Sequence, residues 1–133
     1  MITAIDTNIL LDVVTGNSVW ANWSALQMLH ASKIQKLVIN PIIYAELSIS
    51  FFSVANVEAA IANLDLTLED LPREVAFLAG KAFLQYRRSG GTRTNVLPDF
   101  FIGAHAAFRN ASLLTRDTRR YATYFPTVHL ITP

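Results

Sequence analysis

The chain contains no cysteine. That excludes a disulfide framework and any thiolate metal site, and it fits a reducing compartment, so a cytoplasmic protein is expected. No G-x-S-x-G pattern occurs either, which leaves acyl-transfer hydrolysis unsupported. No G-x-G-x-x-G or Walker pattern is present, so nucleotide-binding folds of those types are disfavoured. The three histidines, His30, His105 and His129, show no metal-ligand spacing, and there is no H-E-x-x-H. His105, within an apolar helical stretch, reads as a packed histidine. No apolar run approaches the ~20 residues that span a bilayer. The N-terminus lacks a basic region, and Asp6 interrupts its apolar run, so neither signal peptide nor membrane association is expected. Internal repeats, linkers and low-complexity segments are absent as well.

What remains is a globular composition. The 133 residues are 52% hydrophobic and 16% charged, and this length fits one domain over 1–133. A chain of this size hides roughly two-thirds of its unfolded surface, enough for a real core. The net charge of +1 is unevenly spread. Residues 1–70 carry two lysines against seven acids; residues 71–133 carry nine basic residues against three acids. Seven arginines fall between Arg87 and Arg120. Such a surface near carboxylates suits a polyanionic substrate, although ordinary solvated helix faces look the same in sequence.

The stretch Ile2–Asp12, ITAIDTNILLD, organises the rest. Ile2–Ile5 is short and β-branched, as a buried strand would be. Thr7 and Asn8 are helix-starting residues. Asp6 therefore stands where a buried strand hands over to a helix. Ligands in open α/β sheets bind beyond such strand ends, and an acid there is badly solvated without a facing cation.

A first helix is expected from Thr7 to Val14, stopped by Gly16, and a second over Val19–Ala31. Leu37–Ile39 reads as a strand. Asn40-Pro41 starts a helix to about Phe52, with Asn as cap and Pro in the first position. Another helix follows near Val54–Leu64, then an edge strand at Leu66–Leu68. Pro72 opens a long helix to Arg88, with Val75, Leu78, Ala79, Ala82 and Tyr86 on one face. Ser89-Gly90-Gly91-Thr92 begins a loop to Leu97, and Pro98 starts the next helix. Ala111–Leu114 and Val128–Ile131 complete the strands. Strands alternating with helices predict an α/β domain with a mainly parallel central sheet.

Four acids sit at element ends or on apolar faces. Asp6 follows the first strand and Asp117 follows Ala111–Leu114, so both converge on one sheet edge. Glu46 shares the inward face of Ile42 and Ile43. Asp99 lies in the first turn of an apolar helix. Taken singly, Asp6 reads as a cap, Asp99 as a dipole partner and Asp117 as a turn residue. Together they would repel one another unless counter-charged, and a hard divalent cation, Mg²⁺ or Mn²⁺, relieves that. Asn8 and Thr115 supply neutral polar groups for a water or phosphate. Arg116 and Arg119, with Arg120, are expected to position substrate; Arg87, Arg88 and Arg93 are weaker candidates. Asp12, six residues after Asp6, is expected on a solvated face. Trp20, Trp23 and Tyr44 are expected in a core or dimer interface.

The segments IDTNILLD, NPIIYAELS, LPDFFIGAHAA and LLTRDTRRY resemble the four acidic motifs of the PIN-domain family, and most of all its VapC-type toxin ribonucleases. The resemblance spans essentially the whole chain. It implies a PIN-like fold and an acidic cluster of Asp6, Glu46, Asp99 and Asp117 holding Mg²⁺ or Mn²⁺, with Asp6 and Asp99 the surest ligands. It also implies endoribonuclease cleavage of single-stranded or looped RNA, transfer RNA included. A cognate antitoxin that brings a helix and a basic side chain near the acids, and a homodimer, are further implications. Phe100 and Phe101 are bulkier than the motif leads one to expect and would narrow the groove. Two rivals stand beside this reading. A phosphatase-like hydrolase would use Asp6 as nucleophile, but such sites want a second acid where Asn8 stands. A non-catalytic RNA- or protein-binding module would use the arginines and acids without chemistry.

Overall fold

The computed structural model describes residues 1–133. In chain order the elements are β1 (Ile2–Ile5), α1 (Thr7–Thr15), α2 (Ala21–Ser32), β2 (Lys36–Ile39), α3 (Pro41–Ser48) and α4 (Val54–Asn63). There follow β3 (Leu66–Leu68), α5 (Arg73–Arg88), α6 (Leu97–Phe108), β4 (Ser112–Leu114), α7 (Arg119–Tyr124) and β5 (His129–Ile131). The five strands form one sheet in the order β3-β2-β1-β4-β5, and every pair is parallel. The expected α/β domain with a parallel central sheet is what forms. No helix is long and apolar enough to cross a membrane.

The apolar runs explain why β1, β2 and β4 lie inside. Parallel sheets are covered on both faces, so their strands are apolar throughout rather than alternating. Thr3, Ala4 and Ile5 are all buried, as are Leu37–Ile39 and Ser112–Leu114. The chain winds outward from β1 to β2 and β3, then returns to β4 and β5 on the other side. Such a reversal opens a crevice at the carboxyl ends of the two strands that flank it. Ile5 pairs with Leu114, so Asp6 and Thr115 leave the sheet side by side.

Local signals set most boundaries. Asp6 is extended (φ −66°, ψ 151°) and its side chain caps α1, while Gly16, at φ 66°, ends it. Asn40 caps α3 by accepting from the N–H groups of Ile42 and Ile43, both at 3.0 Å. Three departures have physical causes. First, α3 stops at Ser48 rather than Phe52. Ile49, Ser50 and Phe51 donate to carbonyls three residues back, which tightens the end, and Ser53 must be extended to cap α4. Second, the inward stripe of α5 is Val75, Ala79 and Ala82, while Leu78 is largely exposed. Third, α7 has no counterpart among the expected elements; it has six residues and no side-chain cap.

Phe100 is fully buried. Its ring lies 5.4–6.1 Å from those of Phe83, Tyr86, Tyr124 and Phe125. It glues α6 to α5 and to the α7 segment rather than narrowing any groove, correcting the expectation from its bulk. Phe101 packs half-buried against the core.

Candidate active site

Asp6 is 4% exposed. One carboxylate oxygen accepts from the Thr7 N–H at 2.7 Å. The other accepts from the Thr115 hydroxyl at 2.7 Å and, at 3.4 Å, from the Asn8 amide. Burial raises its pKa from 3.8 to about 7; the Thr115 hydrogen bond works against that, and the Asp99 charge adds to the rise. Thr115 is a hub across the crevice, since its hydroxyl also accepts the Asp117 N–H at 3.0 Å.

The three other acids arrive from separate elements. Glu46, on α3, accepts from the Thr7 hydroxyl at 2.7 Å. Asp99 stands in the first turn of α6. Burial raises its pKa most; Asp117 and Glu46 push the same way, and Arg120 opposes them. Asp117 accepts the Arg120 N–H at 3.3 Å. All four acids, with Thr7, Asn8 and Leu11, line a single cleft of about 230 Å³. The sequence-predicted cluster is therefore brought together at one pole of the sheet.

The cleft is not a closed ring of ligands. No three carboxylates stand close enough to enclose an ion by themselves. A guanidinium lies among them instead: Arg120 donates to Asp99 at 2.5 Å and to Asp117 at 3.4 Å. Behind them Tyr121 is fully buried, and its hydroxyl lies near the Asp6 carboxylate without a well-aligned hydrogen bond to any group. Burial and the charges of Asp6, Asp99 and Asp117 hold that hydroxyl far above its ordinary pKa. Arg120 serves two of the four carboxylates, and Asp6 and Glu46 meet only uncharged donors, so the pole is short of positive charge. Donors that are all oxygen suit Mg²⁺ or Mn²⁺, which take one or two carboxylates and keep several waters.

The arginines take different roles from those expected. Arg116 does not face the cleft. It grips Asp12 through two hydrogen bonds, at 2.8 and 3.0 Å, and lies 5.2 Å from the Trp20 ring. Asp12 is not on a solvated face; it is 2% exposed and also accepts from the Ser24 hydroxyl at 2.8 Å. Six residues along α1 do turn Asp12 away from Asp6, but toward α2 rather than toward water. Arg116 thus anchors the turn holding Thr115 and Asp117, aided by its N–H on the Asn8 side chain at 3.4 Å. Arg119 lines a neighbouring hollow with Arg93 and Arg120. Arg87 stacks over Phe83. His105 is buried as expected, held between Asn40 at 3.1 Å and Glu69 at 3.0 Å.

Two site residues escape a reading of the sequence alone. Thr7 looks like a helix starter, yet it ties Glu46 to the Asp6 segment. Tyr121 lies on α7, a six-residue helix with no side-chain cap, so no local signal in the sequence marks it.

Comparison with known proteins agrees with this fold. Residues 3–126 match the model of the PIN domain family, and the chain belongs to that family. Among solved structures it is similar to a chain of VapBC-1 from nontypeable Haemophilus influenzae, at 20% identity and a TM-score of 0.74, covering 99% of this chain and 98% of that one. A chain of Rickettsia felis VapBC2 bound to promoter DNA gives 21% identity and 0.72, covering 100% and 99%. A toxin–antitoxin complex from Klebsiella pneumoniae gives 23% and 0.70, covering 98% and 97%. No curated protein matches the chain.

Proposed function

We propose that this chain is a metal-dependent endoribonuclease, the VapC-type toxin of a type II toxin–antitoxin pair, working in the cytoplasm. The observation that carries the reading is the convergence of Asp6, Glu46, Asp99 and Asp117 on one cleft of a PIN fold. Likeness to chains of toxin–antitoxin complexes supports a cognate antitoxin as partner, and a homodimer is part of the same proposal. The substrate is single-stranded or looped RNA, with transfer RNA a natural candidate.

Mg²⁺ or Mn²⁺, when bound, supplies an acidified water and charge neutralisation at the phosphate. Asp6 and Asp99 would hold the ion, with Glu46 and Asp117 bordering it. Thr115 and the Thr7 N–H fix the Asp6 carboxylate, so little motion is needed to present it. Asp117 or Glu46 takes the proton from the attacking water. Asn8 and Thr115 orient the groups around Asp6, and Arg119 steers the polyanion. Attack by water leaves a 5′-phosphate and a 3′-hydroxyl.

The phosphatase-like rival lacks the second acid it wants: Asn8 stands there, its amide 3.4 Å from the Asp6 carboxylate. The test is direct: the purified chain should cut single-stranded RNA with added Mg²⁺ or Mn²⁺ and stop in EDTA. Undiminished cutting in EDTA would end the proposal. Toxicity in cells that survives Asp6→Asn would favour the non-catalytic module.

A further inference from the structure

A second hollow, of about 450 Å³, adjoins the acidic cleft. Asp117 lines both. The other walls are Tyr86, Arg93, Arg119, Arg120, Thr123 and Tyr124. We infer that this hollow is the subsite for a nucleotide beside the scissile phosphate of single-stranded RNA, with Arg93 and Arg119 on backbone phosphate and the Tyr86–Tyr124 wall against the base. The inference rests on the ribonuclease reading and adds a surface for the substrate strand to it.

The first argument is charge. Arg120 is engaged by Asp99 and Asp117, but neither Arg93 nor Arg119 has a carboxylate within 4 Å. Two unpaired guanidiniums converge on a hollow beside a carboxylate pole. A phosphate satisfies both, and Arg forks suit its oxygens. The second argument is shape. The Tyr86 and Tyr124 rings meet at 78°, with centroids 6.0 Å apart, an apolar corner suited to a flat base. The volume lies within the range of small-ligand sites, about 300–1,000 Å³.

The third argument is that the loop carrying Arg93 is built onto this corner. The Tyr86 hydroxyl accepts the Arg93 N–H at 3.1 Å, and the Gly91 N–H donates to the Tyr86 carbonyl at 2.9 Å. A Cβ on Gly91 would lie 2.4 Å from the Tyr86 ring, so only glycine lets the loop lie flat on it. Single-stranded RNA needs this pairing of a basic track with aromatic faces.

The test measures binding of a fluorescent single-stranded RNA 12-mer to Asp6→Asn protein, with and without Arg93→Ala/Arg119→Ala, over a range of salt. The double substitution should weaken binding about tenfold or more. It should also flatten the salt slope by about 1.4, at ~0.7 for each phosphate no longer neutralised. Tyr86→Phe should cause part of that weakening. Circular dichroism should match the parent, and Arg93→Ala/Arg119→Ala protein that keeps Asp6 should bind Mn²⁺ as the unsubstituted chain does. In protein that keeps Asp6, the double variant should raise KM and blur the base preference seen in mapped 5′ ends. Unchanged affinity and slope would overturn the subsite; so would intact RNA binding with abolished antitoxin binding, which would hand the hollow to a protein. If the unsubstituted chain cuts no RNA with metal present, the ribonuclease reading itself fails.

Discussion

Two polar networks rooted on buried side chains stand in this domain, and they are finished to different degrees. In one, Asn40 caps α3 and donates to His105 Nδ1 at 3.1 Å. The tautomer that fits then donates from Nε2 to Glu69 at 3.0 Å. Glu69 in turn receives Arg109 at 2.9 and 2.8 Å. Each polar group there has a partner and the charges cancel. In the other, Arg120 serves only Asp99 and Asp117 of the four carboxylates, while Asp6 and Glu46 meet uncharged donors alone. A satisfied network specifies structure, whereas a network left short of cations marks a site that awaits one. The Asp12–Arg116–Ser24 cluster belongs to the first kind, although its members stand next to the second.

The contrast is broken most forcefully at the acids. Asp6→Asn or Asp99→Asn should lower metal-dependent RNA cleavage by about 10³-fold, about 4 kcal/mol of barrier, without unfolding the domain. A cleavage assay against circular dichroism checks this. For Asp6 the fold should even gain. A carboxyl whose folded pKa is raised contributes stability below its unfolded pKa and loses it as pH rises through the folded value. Here that window runs from 3.8 to about 7. At pH 8 without metal, Asp6→Asn should therefore be more stable by up to about 4 kcal/mol, read by urea denaturation.

The satisfied clusters should respond oppositely. Asp12→Ala strands the Arg116 guanidinium and should cost about 3 kcal/mol, seen as a lower urea midpoint. His105→Ala should cost about 2–3 kcal/mol by opening a cavity and orphaning Asn40. His105 has a pKa lowered by burial, with Glu69 opposing. Its contribution is therefore present above the ordinary value of 6.5 and is lost as pH falls below it. The stability difference between the parent and His105→Leu, in which the opposite titration of Asp6 cancels, should shrink as pH falls from about 7.5 to about 5.

Much of the sheet and all four acids are legible in the sequence because their signals are local. Ile2–Ile5 is β-branched, Asn40-Pro41 is a cap followed by a first-turn proline, and each acid stands at the end of an apolar run or on an apolar face. Partnerships are not local. Asp12 and Arg116 lie far apart in the chain, and nothing around Asp12 distinguishes a surface acid from a buried one. The arginine-rich TRDTRR segment cannot be divided in sequence into Arg116, which braces α1, Arg119, which faces a hollow, and Arg120, which sits among the acids. Phe100 looks like a groove residue in sequence because the aromatic cluster that absorbs it comes from α5, α7 and the residue after α7. The short α7 has no cap to announce it, so Tyr121 is hidden with it.

Whether the acidic pole takes up a divalent ion is answered by calorimetric titration of Mn²⁺ into the purified chain at about pH 7.5, beside Asp6→Asn and Asp99→Asn. Saturable binding with proton release, abolished in both variants and weaker at about pH 6, is the expected result. No binding by the unsubstituted chain, or equal binding by all three proteins, would contradict it.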